Sequence, residues 1–345
     1  MNALPSRCLS DNRKSAIQNL KLVGFLTILA LFVGWAGMAQ AQQPGKVPRI
    51  GFLITSSPSA IAPRMDAFRH GLRELGYEEG KNILIERRHA DGNADQLAAH
   101  AAELVRLKVH VMLSSGPTAT RAAKRATSTI PIVMTFDDDP IGSGFVASLA
   151  QPGGNITGLS TLSPELSGKQ LELLKEIASK VSRAAVVGTS TRQGTAQSLK
   201  ELEVATGMFG LKLDYLDIQQ PKDIESVFQS VSKGRADALL VLQSPVFNSH
   251  RAQIADLAVK IRVPASYPRR EFVEDGGLLS YSVNFLDLDR RSATYVDRIL
   301  KGSKPADLPV EQPTKFEFAI NLKAAKQIGL TIPPNVLARA DKVIK

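Results

Sequence analysis

Short apolar runs alternate with amphipathic helical stretches along most of this chain, and the alternation predicts an α/β protein. The stretch from 109 to 140 shows the repeating unit most clearly. An apolar run at 109–113 is followed by a helical pattern at 118–126, which carries Arg and Lys near its end, where the helix dipole favours cations. A second apolar run follows at 132–136. Runs of this kind are typical of parallel strands that are buried on both faces.

The alternation passes through two rounds of similar size, which predicts two Rossmann-like units, each a parallel sheet with helices on both faces. The first round has predicted strands at 49–55, 82–89, 109–113, 132–136 and 156–161, with a short helix predicted at 141–149. The second has predicted strands at 184–188, 211–218, 238–242 and 264–267. A further strand at 278–283, a helix at 286–300 and a final strand at 315–320 follow.

The loop after the run at 109–113 is a candidate ligand contact. It consists of Ser114, Ser115, Gly116 and Pro117, which end a strand and open a helix. Such a loop offers hydroxyls and free backbone N–H groups, and open α/β sheets bind ligands at this edge. A well-formed turn without a ligand explains the loop equally well when it is taken alone.

The first 41 residues have the pattern of an export signal. Basic residues at 13, 14 and 21 precede an apolar stretch at 22–35. Ala39-Gln40-Ala41 fits the small-x-small rule, so we expect cleavage after Ala41 and a periplasmic mature chain. A retained membrane anchor is the alternative, although the apolar stretch is short for a bilayer span.

Composition and charge narrow the function classes. Cys8, the only cysteine, lies before the apolar stretch, so a mature chain would have neither a disulfide nor a thiolate metal site. The formal net charge is +10, but the basic residues are scattered and no nucleic-acid module is present. We therefore expect a basic surface and no nucleic-acid partner.

No sequence motif for catalysis, metal or cofactor binding is present. The five histidines include no pair at helical metal-ligand spacing. Asp137-Asp138-Asp139 are adjacent loop residues, which rarely converge on one ion. Gly142-Ser143-Gly144 matches the start of the dinucleotide-binding motif G-x-G-x-x-G. Position 147, where the third glycine would stand, is Ala, and no strand with an acidic residue follows at the right distance. The sequence therefore predicts that the protein is not an enzyme and holds no metal and no cofactor.

Nearly all of 47–345 resembles the solute-binding proteins of ABC transporters, in the tryptophan-binding-like branch with the type I periplasmic binding fold. The stretches that carry this resemblance include RIGFLITSSP at 49–58, SSGPTATRAAKRATSTIPIVM at 114–134, DPIGSGFVASLAQPGGNITGLST at 139–161, YPRREFVEDGGLLSYSVNF at 267–285 and ILKGSKPADLPVEQPTKFEFAINLKAAKQIGLTIPP at 299–334.

The resemblance implies two lobes joined by a multi-crossing hinge. It assigns 47–161 plus 278–305 to lobe one and 162–277 plus 306–345 to lobe two. A small molecule, either an amino acid or an aromatic or carboxylate-bearing compound, would be captured between the lobes by hinge closure. The protein, expected to be a monomer, would then dock on an ABC permease in the inner membrane.

The resemblance also implies which residues face the ligand. Those on lobe one are Ser56, Ser57, Ser115, Gly116, Thr118, Phe136, Asp137 and Asp139. Those beyond it are Ser190, Gln243, Tyr267, Glu271 and, where the chain crosses back, Tyr281. Hydroxyls and helix amides suit a carboxylate, a carboxylate side chain suits an ammonium group, and an aromatic ring suits a flat apolar group. Many relatives carry Asn-Pro-Asn where this chain has Thr189-Ser190-Thr191, which leaves the ligand open.

Two other functions remain compatible with the sequence. One is an exported enzyme, such as a hydrolase, that uses the same cleft, although no activated nucleophile is visible. The other is a sensory binding protein that reports its ligand state to a membrane receptor.

Overall fold

The computed structural model describes residues 47–313 and 315–345, so the predicted export signal and its cleavage site lie outside the described residues. The first lobe is built on a five-stranded sheet in the order β2-β1-β3-β4-β5, with all neighbouring strands parallel. Its strands are β1 (Arg49–Ile54), β2 (Leu84–His89), β3 (Val111–Ser115), β4 (Ile132–Asp137) and β5 (Ile156–Ser160).

Three helices connect these strands and cover both faces of the first sheet. They are α1 (Pro58–Glu74), α2 (Ala94–Arg106) and α3 (Pro117–Ala126). One face packs on Phe68 and its apolar neighbours from α1, and the other packs on Leu104 and residues of α2 and α3. Burial on both faces explains why the strands read as apolar runs without alternation.

The second lobe is built on a seven-stranded sheet in the order β12-β11-β10-β9-β8-β6-β7. Its strands are β6 (Arg183–Gly188), β7 (Lys212–Asp217), β8 (Ala238–Val241), β9 (Ala265–Tyr267), β10 (Leu279–Val283), β11 (Phe316–Asn321) and β12 (Lys342–Ile344). Only the β10–β11 pair is antiparallel among the described strands of this sheet.

Helices also cover the second sheet. They are α4 (Ser163–Ile177), α5 (Gln193–Phe209), α6 (Ile224–Lys233), α7 (Pro245–Ser249), α8 (Arg251–Lys260), α9 (Arg270–Glu274), α11 (Leu322–Gln327) and α12 (Pro334–Leu337). The remaining helix, α10 (Phe285–Leu300), lies on the first lobe, where it packs along α1. Within the described residues, no helix has the length and apolar character needed to cross a membrane.

The chain passes between the lobes three times, and two of the boundaries differ from those predicted. The first crossing follows β5, near Leu162. The segment 278–283 was expected in lobe one, but β10 pairs with β9 and β11 in the second sheet, so the crossing comes at Asn284, which caps α10. The segment 306–313 was expected in lobe two, but Val310 lies in the first lobe's core and Glu311 bridges to β5.

One local prediction was also wrong. Residues 141–149 form turns instead of a short helix, because Gly144 adopts a φ of 67° and Asp139 turns its carboxylate back onto the amide of Gly142. At the end of the chain, the short helix α12 is followed by β12, which pairs parallel to β11. β12 is only three residues long, which is too short to show a periodic pattern.

Candidate ligand-binding cleft

A cleft lies between the lobes, where the carboxyl ends of both parallel sheets meet. Its walls lie close together in this conformation, and the cavity that they enclose is only about 10 Å³. Its lining residues are Thr55, Ser56, Arg64, Ser115, Gly116, Pro117, Thr118 and Phe136 from the first lobe, and Arg192, Gln243, Pro245, Asn248 and Arg269 from the second. The carboxyl edge of parallel strands is where open α/β sheets bind ligands.

The wall on the first lobe is the loop between β3 and α3. Gly116 is the residue before the helix and adopts a φ of 90°, a conformation that favours glycine. A Cβ at this position would lie 2.9 Å from the Phe136 ring, so the glycine also permits the close approach of loop and ring. No side chain caps the amino end of α3, so its first-turn amides stay available at the cleft.

Arg269 dominates the opposite wall. It follows β9 and precedes α9, and only 5 % of the residue is exposed. The side-chain oxygen of Gln243 faces the guanidinium of Arg269 and accepts from its Nη2 at 2.7 Å and from its Nε at 3.0 Å. The guanidinium stacks on Phe285, with Cζ 3.7 Å from the ring centre, and lies 5.4 Å from the centre of Phe136.

Arg269 has no carboxylate partner within 4 Å among the described residues. Burial lowers the pKa of its guanidinium, and the nearby charge of Arg64 lowers it further. An arginine nevertheless stays protonated at neutral pH, so the cleft contains a buried cation that no side chain neutralises. An unpaired buried charge costs several kcal/mol, which an anionic ligand would offset.

The other two arginines of the cleft are paired. Arg64 donates to both carboxylate oxygens of Asp289, with Nη2 2.9 Å from Oδ1, in an almost fully buried pair. Burial raises the pKa of Asp289, and the charge of Arg64 opposes that shift. Arg192 of the second lobe donates to Asp138 of the first, so this buried ion pair joins the two lobes.

Two polar atoms at the cleft have no hydrogen-bond partner among the described residues. They are the Oγ of Ser115, on the first lobe, and the Oδ1 of Asn248, in α7 of the second. Buried polar atoms are normally paired, so each of these marks a place where a ligand group could form a hydrogen bond. The two atoms offer a neutral donor and acceptor on opposite sides of the cleft.

Six of the residues predicted to face the ligand line this cleft. They are Ser56, Ser115, Gly116, Thr118, Phe136 and Gln243. Five of them lie at the ends of β1, β3 and β4 or shortly after them, and Gln243 follows β8; parallel strands end at a common edge, which brings them together. Their contact with a ligand stays a prediction.

Four of the other predicted residues serve the structure around the cleft instead of lining it. Ser57 caps α1 through its Oγ, which accepts from the amide of Ala60. Ser190 donates to Asp217 through both its amide and its hydroxyl, at 2.7 Å in each case.

The two tyrosines belong to packed clusters. Tyr267 is fully buried in the core of the second lobe and stacks on Phe272, with ring centres 5.2 Å apart. Tyr281 stacks on Phe316. Neither tyrosine lines the cleft. β9 is buried on both faces, so its sequence does not show which side Tyr267 takes, and Tyr281 lies on β10, where it packs within the second lobe.

Three predicted acidic residues also lie off the cleft lining. Asp137 is fully buried, and burial together with the charge of Asp138 raises its pKa well above the ordinary value. Asp139 accepts from the amide of Gly142 at 2.8 Å. Glu271 is half-buried in the first turn of α9. No carboxylate therefore lines the cleft itself.

Arginines are the functional side chains that the sequence reasoning missed. Arg64 lies on the same buried face of α1 as Ile61, Met65 and Phe68. A cation on the apolar face of an amphipathic helix is a pattern in the sequence that could have identified it. Arg269 lies two residues beyond the end of β9, between the two predicted residues Tyr267 and Glu271. The described residues contain no cluster of three or more metal-ligating side chains.

A family model described as ABC transporter substrate binding protein matches residues 51–344. The chain belongs to this family. It is therefore a substrate-binding protein of the ABC transporter type, whose members typically act outside the cytoplasm, and the family predicted from the sequence is confirmed.

Relatives agree with this assignment. A tyrosine-binding protein from Clostridioides difficile is 24% identical over 273 residues, covering 78% of both chains. A conserved domain protein from Vibrio cholerae is 30% identical with a TM-score of 0.82, covering 86% of this chain and 100% of that one. An ABC domain from Streptococcus pneumonia in complex with L-Trp is 26% identical with a TM-score of 0.81, covering 87% and 100%. The predicted type I periplasmic binding fold is confirmed.

Proposed function

We propose that this protein captures a small carboxylate-bearing molecule between its lobes and delivers it to an inner-membrane ABC permease. The observation that carries the proposal is Arg269, a buried cation on the cleft wall without a carboxylate partner among the described residues. The uncapped amino end of α3 faces the same cleft from the other lobe. A carboxylate between them would receive hydrogen bonds and favourable charge from both lobes.

Contact with both lobes is the basis of capture by hinge closure. A ligand that binds the closed form better than the open form shifts the population towards closure. Arg192 and Asp138 already join the lobes beside the cleft, so closure excludes water from the ligand's charged end. Two of the similar proteins are a tyrosine-binding protein and an ABC domain in complex with L-Trp, and both of these ligands carry a carboxylate.

Binding without chemical turnover is the second part of the proposal. The cleft lining has serines and threonines but no histidine, cysteine or carboxylate that could serve as a general base. A hydrolase that used this cleft would need such a base within hydrogen-bond reach of its nucleophile. Ser115 lacks such a partner among the described residues.

The protein is proposed to act as a monomer in the periplasm after cleavage behind Ala41. The only tryptophan, Trp35, lies before that site. Protein recovered from the periplasm should therefore show tyrosine emission alone, and its intact mass should correspond to a chain beginning at Gln42. Tryptophan emission from the exported protein would contradict cleavage.

A ligand screen tests the proposal directly. Thermal unfolding of the purified protein would be followed with a panel of carboxylates, neutral sugars and amines. A ligand present at 100 times its dissociation constant should stabilise the protein by about 2.7 kcal/mol. Stabilisation by carboxylates, with recovery of the unchanged compound, supports the proposal. Stabilisation by neutral sugars or amines alone, or conversion of the bound compound, would contradict it.

A further inference from the structure

We propose that the ligand is an organic anion without an ammonium group, meaning a hydroxy, oxo or unsubstituted carboxylate and not an amino acid. This inference rests on the proposed function and names the substrate class of the same cleft. It follows from the charges that line the cleft and from the partners that the neighbouring carboxylates already have.

The first argument is the charge of the lining. Three arginines line the cleft and no carboxylate does. The salt bridges of Arg64 and Arg192 offset two of these charges, which leaves the charge of Arg269. One negative charge on the ligand balances this cation. A zwitterion has no net charge, so the cleft would still hold an unbalanced positive charge after binding it.

The second argument is that no nearby acid lines the cleft as a free carboxylate. Asp138 is paired with Arg192, and Asp289 with Arg64. Asp139 turns its Oδ1 onto the amide of Gly142. Asp137 is fully buried outside the lining; its Oδ1 accepts from the amide of Asp139, its Oδ2 has no partner among the described residues, and burial raises its pKa, which favours the neutral acid. Glu271 acts on Arg269 through its charge but does not line the cleft. An α-ammonium group would therefore find no carboxylate to receive it.

The third argument concerns the cost of an ammonium group in this position. Burying a cation without a countercharge is expensive, and the repulsion between two cations grows in a low-dielectric cleft. A hydroxyl or carbonyl oxygen avoids both costs. The unpartnered Ser115 Oγ and Asn248 Oδ1 suit a neutral polar group, with the serine as donor and the amide oxygen as acceptor.

Matched pairs of ligands test the inference. Dissociation constants would be measured by calorimetry for L-tyrosine against hydroxyphenyl-lactate, L-tryptophan against indole-lactate, and L-alanine against lactate. Within each pair the carboxylate is kept and the ammonium is replaced by a hydroxyl. The hydroxy acid should bind at least about tenfold tighter, the factor that 1.4 kcal/mol represents.

The outcomes separate this inference from the function on which it rests. An amino acid that binds as tightly as its hydroxy acid would overturn the inference and leave carboxylate capture intact. Binding by no carboxylate of any kind would overturn the proposed function, and the inference with it.

A variant gives a second, independent readout. Asn248→Asp places a carboxylate in the cleft where the amide oxygen lacks a partner. The ratio of amino-acid to hydroxy-acid affinity should rise at least about tenfold in this variant. Asn93→Asp is the matched control, because it adds the same charge at an exposed helix cap where aspartate is equally favoured. An unchanged ratio in a folded Asn248→Asp protein would overturn the inference.

Discussion

The guanidinium of Arg269 stacks on the ring of Phe285, with Cζ 3.7 Å from the ring centre. The arginine belongs to the second lobe, and the phenylalanine begins α10, just after the chain has crossed to the first. The aromatic face holds the cation in position without neutralising it. Rigid placement of an unneutralised cation is what a cleft needs in order to bind an anion tightly.

Replacing Arg269 should therefore weaken ligand binding without lowering the free energy of unfolding of the ligand-free protein. Arg269→Met should weaken carboxylate binding by about 30-fold to 5,000-fold, the range for loss of one partner of a buried charge pair. The ligand-free variant should be at least as stable as the wild type, because a buried unpaired cation has been removed. Calorimetry and urea unfolding measure the two effects.

Arg270→Met is the control for Arg269→Met. The neighbouring arginine is bound to Glu317 by Nη1 at 3.2 Å and does not line the cleft. Its replacement should leave ligand affinity within about twofold, since it removes the same charge outside the site. Equal loss of affinity in both variants would show that general charge, and not the cleft cation, attracts the ligand.

The interlobe ion pair predicts a shift in conformation. Asp138→Asn removes the charge that Arg192 meets across the cleft, and opening lets water reach the arginine. We expect the ligand-free variant to populate a more open form and its apparent affinity to fall by about 5-fold to 150-fold. Energy transfer between dyes attached through Ile141→Cys and Val204→Cys, at two exposed sites on opposite lobes, would report the opening.

The dyes react only at these two introduced cysteines once the predicted export signal is removed, because Cys8 is the only native cysteine. Asp214→Asn is the control, since Asp214 pairs with Arg183 inside the second lobe. The distance between the two dyes in the Asp214→Asn variant should match the distance in the labelled protein that lacks this substitution. No change in the Asp138→Asn protein would mean that the ion pair does not hold the lobes together.

The sequence predicted the position of the cleft better than its chemistry. The strand–loop–helix pattern around 109–126 located Ser115, Gly116 and Thr118 because the carboxyl ends of parallel strands share one edge. Tyr267 was misplaced because β9 is buried on both faces, which removes the alternation that assigns sides. The unpaired state of Arg269 depends on where distant carboxylates lie, and that is a tertiary property.

Gly116 should be sensitive to a single added methyl group. Alanine there must adopt a φ near 90° and would push its Cβ to within 2.9 Å of Phe136. Gly116→Ala should lower the free energy of unfolding by about 1–3 kcal/mol, the usual cost of such strain, and should weaken ligand binding. Urea unfolding and calorimetry measure these effects.

Gly207→Ala is the contrasting variant. Gly207 lies inside α5, and a Cβ there would meet nothing within 4 Å. Alanine should raise the free energy of unfolding by about 0.5–1 kcal/mol through helix propensity alone. If Gly116→Ala were equally harmless, the loop conformation would not be required.

Asp137 should make the free energy of unfolding fall as pH rises, the opposite of the usual effect of an aspartate. Burial and the charge of Asp138 raise its pKa in the folded protein well above the ordinary value, while the charge of Arg192 opposes them. The folded protein then holds this proton more tightly than the unfolded chain does. The stabilisation is fully present below the unfolded pKa of about 3.9 and is lost as pH rises through the folded pKa.

Asp137→Asn should remove that dependence, because a neutral amide imitates the protonated acid and its oxygen can still accept from the amide of Asp139. Above pH 4 the wild type should lose stability relative to this variant by up to about 1.4 kcal/mol per pH unit. Urea unfolding at a series of pH values measures the difference. Asp237→Asn should behave oppositely, since hydrogen bonds from Ser182 lower the pKa of Asp237. Parallel pH profiles for wild type and Asp137→Asn would contradict the buried-acid explanation.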